Sequence, residues 1–271
     1  AMSYAVKGVT TERGLDAGDF ALVAYGGAGP LHAVEVAREI GMRTVIVPPA
    51  PGMFSAFGML FSDLRYDFVR TWFTRLEDAS FDQIDKVYRD LERQGREALA
   101  GTSVKPRQIG IKRAADMRYV GQEHAVTVDL PLRLFEKRDR AAIKRAFDAM
   151  HALRYGTSAP GEQAEIVSLR STTTGTLRKP RPEKVERANA APRRSTMTGR
   201  RAVYFNGAFR PTATYDRAGL AAGNRISGPA LIEEHASTTV LLPGDRLEVD
   251  AYGNLLIEVA GGGLARRGRR R

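Results

Sequence analysis

Four small residues in a row, Gly26-Gly27-Ala28-Gly29, form the segment of this chain best suited to holding a ligand without a reactive side chain. They separate an apolar run, Phe20 to Tyr25, from a segment of helical spacing that opens at Pro30. Glycines between a strand and a helix N-terminus let a ligand approach bare backbone N–H groups, where the helix dipole favours an anion. Pro30 suits the first helical turn, because the donor it lacks would have no partner there. The pattern points to a nucleotide or phosphate site, although an unliganded tight turn accounts for the residues equally well. The segment is not a P-loop, since no Lys-Ser/Thr follows to hold phosphate and magnesium. Nor does it have the spacing of the dinucleotide fingerprint. His32 falls in the first turn of the helix, placed either to touch a phosphate or substrate or to bond the backbone.

Other reactive side chains are scattered. His124, His151 and His235 lie far apart, none in the i, i+4 spacing of a helical metal site, and the chain has no cysteine. No metal is therefore assigned to it. Ser55 follows Pro51-Gly52 and reads as a helix N-cap; without a Gly-x-Ser-x-Gly elbow it is no candidate nucleophile. Asp63, Arg65 and Asp67 either point into a cleft or are solvated. Glu233 and Glu234, beside His235, are a carboxylate pair that could do acid–base work or simply mark an exposed strand edge.

The elements that must position these groups fall into successive regions. In residues 1–75 the Phe20–Tyr25 strand, a helix ending near Gly41 and the strand Thr44-Val45-Ile46-Val47 make a βαβ unit with parallel strands. Leu31, Val34, Ala37 and Ile40 give the helix one apolar face. Pro48-Pro49-Ala50-Pro51-Gly52 is a stiff loop, and Met53 to Phe61, apolar on nearly every side, predicts a buried helix. Residues 76–177 read as α+β: helical periodicity over Phe81–Leu99 and Asp139–Leu153, with strands over Ala114–Val120, Ala125–Leu130 and Ala164–Leu177. Residues 178–200 are a Pro- and Arg-rich linker, too poor in apolar residues to pack. Residues 201–260 are short strands separated by turn residues, an all-β module, and 261–271 a basic tail. The fold class is thus α/β plus α+β, with an all-β C-terminal module.

Composition narrows the partners. With 43% hydrophobic and 27% charged residues, the 271-residue chain is ordinary for a globular protein. Its net charge of +11 is local. Nine Lys/Arg against two Glu in 178–201 give +7, and the arginines of 266–271 give +5. The rest is close to neutral. Arginine runs can bind nucleic acid through phosphates, but no aromatic interleaving or recognition module accompanies them, so nucleic acid is not an expected partner. No run of eighteen apolar residues predicts a membrane span, and Ala1-Met2-Ser3-Tyr4 does not read as a signal peptide. The absence of cysteine fits a reducing cytoplasm.

Taken in order, several segments carry a resemblance: Asp19 to Ala33, Val47 to Gly52, Ser55-Ala56-Phe57-Gly58 with Asp63, Arg118-Tyr119-Val120-Gly121-Gln122, Gly228 to Glu234, and Val249 to Leu255. Together they resemble the hydantoinase A/oxoprolinase family over most of the chain, and most weakly in 178–200 and the tail. That family includes N-methylhydantoinase A, oxoprolinase and subunits of acetone and acetophenone carboxylases. The resemblance implies an ATP-dependent enzyme that opens ring amides or carboxylates ketones, using ATP with Mg²⁺ in an actin-like ATPase fold. It implies that Gly26, Gly27, Ala28 and Gly29, with His32 beside them, form the adenosine side of the nucleotide cleft. The family's first phosphate loop, an Asp-x-Gly-Gly-Thr pattern, is absent from this sequence. The chain is therefore similar to the C-terminal part of such a subunit and is expected to be inactive alone. The expected partners are the missing N-terminal ATPase lobe, a hydantoinase B-type subunit and a small-molecule substrate.

Overall fold

A computed structural model describes residues 1–261, so the terminal arginines lie outside the described residues. In chain order the first elements are α1 (Met2–Val9), β1 (Ala21–Val23), α2 (Gly29–Ile40), β2 (Thr44–Val47) and α3 (Phe54–Met59). Then come β3 (Leu64–Arg75), α4 (Phe81–Ala100), β4 (Gln108–Tyr119), β5 (Val126–Asp129), α5 (Leu132–Glu136), α6 (Arg140–Tyr155) and β6 (Ala164–Thr176). The last are β7 (Met197–Phe205), β8 (Ala208–Asp216), β9 (Arg225–Ser227), β10 (Ala230–Glu234), β11 (Ser237–Leu241), β12 (Arg246–Val249) and β13 (Leu255–Glu258).

These elements gather into two compact units, and the division departs from the sequential regions that composition predicts. One unit is continuous, Ser62–Lys179; the other joins Ala1–Phe61 to the chain from Pro180 onward. The main cause is a strand pairing, reinforced by α2 packing on β11. β1 and β2 are parallel, as the strand–helix–strand spacing requires, but β2 also pairs antiparallel with β13, Val47 opposite Leu255 and Thr44 opposite Glu258. The result is one five-stranded sheet, β1-β2-β13-β12-β9. The first βαβ unit and the C-terminal strands are therefore one fold rather than two modules. A four-stranded sheet, β11-β10-β8-β7, completes this unit. Ala33, Val34 and Ala37 on α2, Val45 and Val47 on β2, Ile232 and Leu241 on β10 and β11, and Ile257 on β13 share one core.

Of two expectations for this unit, one is refined and one corrected. The segment after Pro180 is exposed, as expected, but it is fastened rather than loose. Val185 N–H donates to Ala251 (3.0 Å), Ala188 N–H to Ala222 (2.9 Å) and Arg225 N–H to Ala190 (2.7 Å). Backbone bonds hold it, so its apolar poverty is no obstacle. The helix after the Pro-rich loop is not buried. α3 spans only Phe54–Met59, and Met59 and Leu60 are 74% and 60% exposed. Its aromatic residues pack on each other and on Tyr25, with ring centroids 5.6 Å apart for Tyr25–Phe54 and 5.0 Å for Phe57–Phe61. A composition that is apolar all round calls for cover without specifying what supplies it.

The other unit is an antiparallel sheet, β3-β6-β4-β5, with α4 against β3 and β6 and α6 against β5. Tyr88 and Leu91 of α4, Phe147 of α6, Met117 of β4 and Leu169 of β6 are fully buried in its core. α4 lies so close to β6 that a Cβ on Gly95 would stand 2.0 Å from Thr173 Oγ1. The strand β3, absent from the sequence-based expectation, alternates half-buried Leu64, Tyr66 and Phe68 with exposed Arg65, Asp67 and Val69.

Candidate functional site

The glycine-rich segment is where three loops of the discontinuous unit meet. β1 ends beside β2, with Ala24 N–H donating to Ile46 (2.8 Å). Gly26 then takes φ +87°, open to glycine and costly for other residues, and its N–H donates to Pro51 (2.7 Å) in the loop after β2. Gly27 faces the turn between β10 and β11: a Cβ there would lie 3.1 Å from the Ala236 carbonyl oxygen. Ser237 Oγ donates to the Gly27 carbonyl (3.1 Å), fastening the two together. The three loops are Gly26–Gly29, Pro48–Gly52 and His235-Ala236. α2 starts at Gly29 with Ala28 as N-cap and no side-chain cap bond. Its first-turn N–H groups therefore have no partner within the helix, and Gly27 and Ala28 are exposed. The arrangement offers backbone donors and a positive dipole end to an anion.

Beneath these loops lies a buried ion pair. Arg217, 8% exposed, donates from Nη1 to Glu234 Oε1 (2.9 Å) and from Nη2 to the carbonyls of Val47 (3.0 Å) and Gly253 (2.9 Å). Glu234 Oε2 accepts from Ala50 N–H (3.2 Å). Burial pushes the Glu234 carboxyl above its ordinary range, and Arg217 opposes that shift. A groove of about 310 Å³, bordered by Pro49, Leu220 and His235, opens beside the pair.

The remaining candidates sort cleanly. His32 is exposed on the first turn of α2, close in sequence to the loop. Glu233 and Glu234 are not an acid–base pair: they point to opposite faces of β10, and Glu233 binds Arg201 (2.7 Å) instead. Ser55 is not the cap of α3, a position held by Met53 without a side-chain bond. In the other unit, Asp63 binds Lys179 and the Leu177 N–H, which hold its carboxyl below the usual range. Arg65 and Asp67 pair with each other on exposed β3 (2.8 Å). His151 is buried and donates from Nδ1 to the Thr157 carbonyl (2.6 Å), a bond that serves structure. The Arg118-to-Gln122 motif does likewise: Tyr119 OH donates to Asp148 (2.7 Å) and so ties β4 to α6. Among the described residues no three His, Asp or Glu are grouped to hold a metal ion. Arg217 and the Ala236 turn were missed by sequence reasoning. Nothing local marks an arginine in a turn as buried.

Comparison with known proteins gives a consistent relationship. Residues 1–68 match the family model described as hydantoinase/oxoprolinase, and residues 75–258 match the hydantoinase/oxoprolinase C-terminal domain. An uncharacterized protein of Methanocaldococcus jannaschii is 34% identical over 95% of this chain and 36% of its own length. The caprolactamase subunit alpha of Pseudomonas jessenii is 30% identical over 92% of this chain and 36% of its own. A crystal structure of that organism's ATP-dependent caprolactamase superposes on 96% of this chain and 38% of its own, with a TM-score of 0.69 at 28% identity. Nucleotide-free acetone carboxylase, at 22% identity, shares the fold over 95% of this chain and 38% of its own, with a TM-score of 0.75. The chain thus spans little more than a third of the proteins it matches.

Proposed function

The chain belongs to the hydantoinase/oxoprolinase family, and from that premise we propose that it is the C-terminal part of an ATP-dependent, ring-amide-opening subunit. In this reading the segment Gly26–Gly29, with His32 at its rim, supplies the adenosine side of a nucleotide cleft in an actin-like ATPase lobe. The observation that carries the reading is the meeting of three loops around the uncapped first turn of α2, where Gly27 leaves backbone bare. Backbone donors at a helix N-terminus suit the anionic nucleotide. ATP would phosphorylate the amide oxygen with release of ADP, and attack of water on the activated carbon would then break the C–N bond and release phosphate. This chain's residues bind and orient the nucleotide, and the groups that hold its γ-phosphate and Mg²⁺ belong to the rest of the subunit. Cyclic amide is preferred over ketone as substrate because the caprolactamase relative combines 30% sequence identity with a similar fold. The carboxylase likeness bears on fold. A second reading, an assembly module within such a complex, draws on the exposed apolar α3. In either reading the partners are the remaining ATPase lobe and a hydantoinase B-type subunit, and the isolated chain is inactive.

Isothermal titration of Mg·ADP and Mg·ATP into the purified chain tests the assignment. Binding is expected, and Gly27→Val should weaken it by about tenfold or more, because the new side chain presses on the Ala236 carbonyl and fills the loop. A folded chain that takes up neither nucleotide would overturn the binding role and leave the assembly module.

A further inference from the structure

We propose that Arg217 and Glu234 are a positioning pair that sets the conformation of the Gly26–Gly29 loop from beneath, without touching the ligand. The nucleotide named in the test rests on the function proposed above; the positioning itself rests on geometry alone.

Both walls of the glycine loop hang on Glu234. Its Oε2 holds the N–H of Ala50, a non-glycine residue at φ +48°. Such a backbone persists where its surroundings over-determine it. One residue on, the Pro51 carbonyl accepts the Gly26 N–H at 2.7 Å. In the other direction Glu234 is the last residue of β10, two before Ala236, whose carbonyl faces Gly27. Arg217 fixes the far ends of the same parts, binding the carbonyl of Val47 where β2 runs into the Pro-rich loop and that of Gly253 before β13. One planar guanidinium thus spans a carboxylate and two carbonyls from three separate stretches of chain, which a lysine ammonium cannot reproduce.

The energetics favour a positioning role over plain stabilisation. Both side chains are taken largely out of water, at 8% and 11% exposure. Desolvation of a buried pair commonly cancels its Coulombic gain, and well-packed apolar residues of similar volume stabilise as well or better. What leucines could not supply at these positions is the bonding of Ala50, Val47 and Gly253.

That difference gives the experiment. The double variant Arg217→Leu/Glu234→Leu of the full chain is compared with wild type by hydrogen–deuterium exchange and by titration with Mg·ADP. Exchange in Tyr25–Gly29 and Pro48–Gly52 should speed up, and the Kd for Mg·ADP rise, each by about tenfold, while exchange in β12 and β13 and the Tm hold. Arg217→Lys, which keeps the charge but not the fork, should loosen Pro48–Gly52 to an intermediate degree. Glu234→Gln, whose amide can accept from Ala50 only by turning its –NH2 toward the Arg217 donors, should loosen Pro48–Gly52 to an intermediate degree. Unchanged loop exchange in the double variant, or an equal rise throughout β12 and β13, would overturn the proposal. Should the double variant not fold, Arg217→Lys and Glu234→Gln decide it, and wild-type loop exchange in Arg217→Lys counts against the pair. If wild type takes up no Mg·ADP, the nucleotide assignment fails by itself and the exchange data still judge the pair.

Discussion

The two units solve the same packing problem in opposite ways. Ser62–Lys179 is one uninterrupted stretch whose strands β3, β6, β4 and β5 neighbour one another in an antiparallel sheet, with helices supplying its core. The other unit is closed only when β2 meets β13 from the far end of the chain. Its loops are correspondingly the ones that converge: Gly26 bonds Pro51, Ala236 faces Gly27, and Arg217 below bonds Glu234, Val47 and Gly253. Local folding makes a body, and distant closure gathers loops from across the chain. The continuous unit pairs its buried charges within itself, Arg113 with Asp85 and Glu92 and Arg118 with Glu165, whereas the discontinuous one leaves backbone donors open at the start of α2.

The largest break in this comparison should come from β13. Leu255 is fully buried opposite Val47, and Leu255→Asp puts a carboxylate into the middle of the sheet, at a cost of about 4 kcal/mol or more. The discontinuous unit should unfold while the continuous one survives. Trp72, the single tryptophan, lies on β3 and reports the continuous unit alone, so its emission should keep a cooperative urea transition while far-ultraviolet circular dichroism falls. Loss of both signals together would show that the units do not stand apart.

The same probe tests the opposite unit. Gly95→Ala forces a Cβ into Thr173 and should lower the tryptophan-detected urea stability by about 1–3 kcal/mol. A smaller effect follows from Asp116. Burial raises its carboxyl, but bonds from Ser168, Thr127 and Arg170 more than offset this and hold it below the ordinary 3.8. A carboxyl lowered on folding contributes stability above its unfolded value and loses it as pH falls through its folded one. Asp116→Asn should therefore weaken the continuous unit near neutral pH and flatten the decline of its stability below about pH 4. The smallest effect belongs to α3: Phe57→Ser, at a site 45% exposed, should change stability by about 0.5 kcal/mol or less. It should also reduce self-association seen by sedimentation at high concentration.

Legibility in the sequence followed the same division. α4 and α6 stood out because their periodicity is local, and so did the hairpin turns, where Asn206 and Gly207 take φ +48° and +89°. The glycine loop was visible because strand, glycines and proline are contiguous. β3 was overlooked although its period-2 alternation was there to be counted, obscured by charged Arg65, Asp67 and Arg70. The pairing of β2 with β13 left no mark, since short buried strands carry no signature of their partner. Arg217 was invisible for the related reason that its burial is decided by Val47 and Gly253, far away in the chain. α3 shows the converse error, an apolar composition read as proof of cover.

Closure through β13 also imposes an order on synthesis. On the ribosome, Val47 emerges roughly two hundred residues before its partner Leu255, an interval of about 10–40 s at ordinary elongation rates. Throughout it the nascent chain must carry β2 without its β13 neighbour, while the continuous unit between them has time to fold. The stretch Ser62–Lys179 can thus be complete while β2 still lacks the strand that closes its sheet.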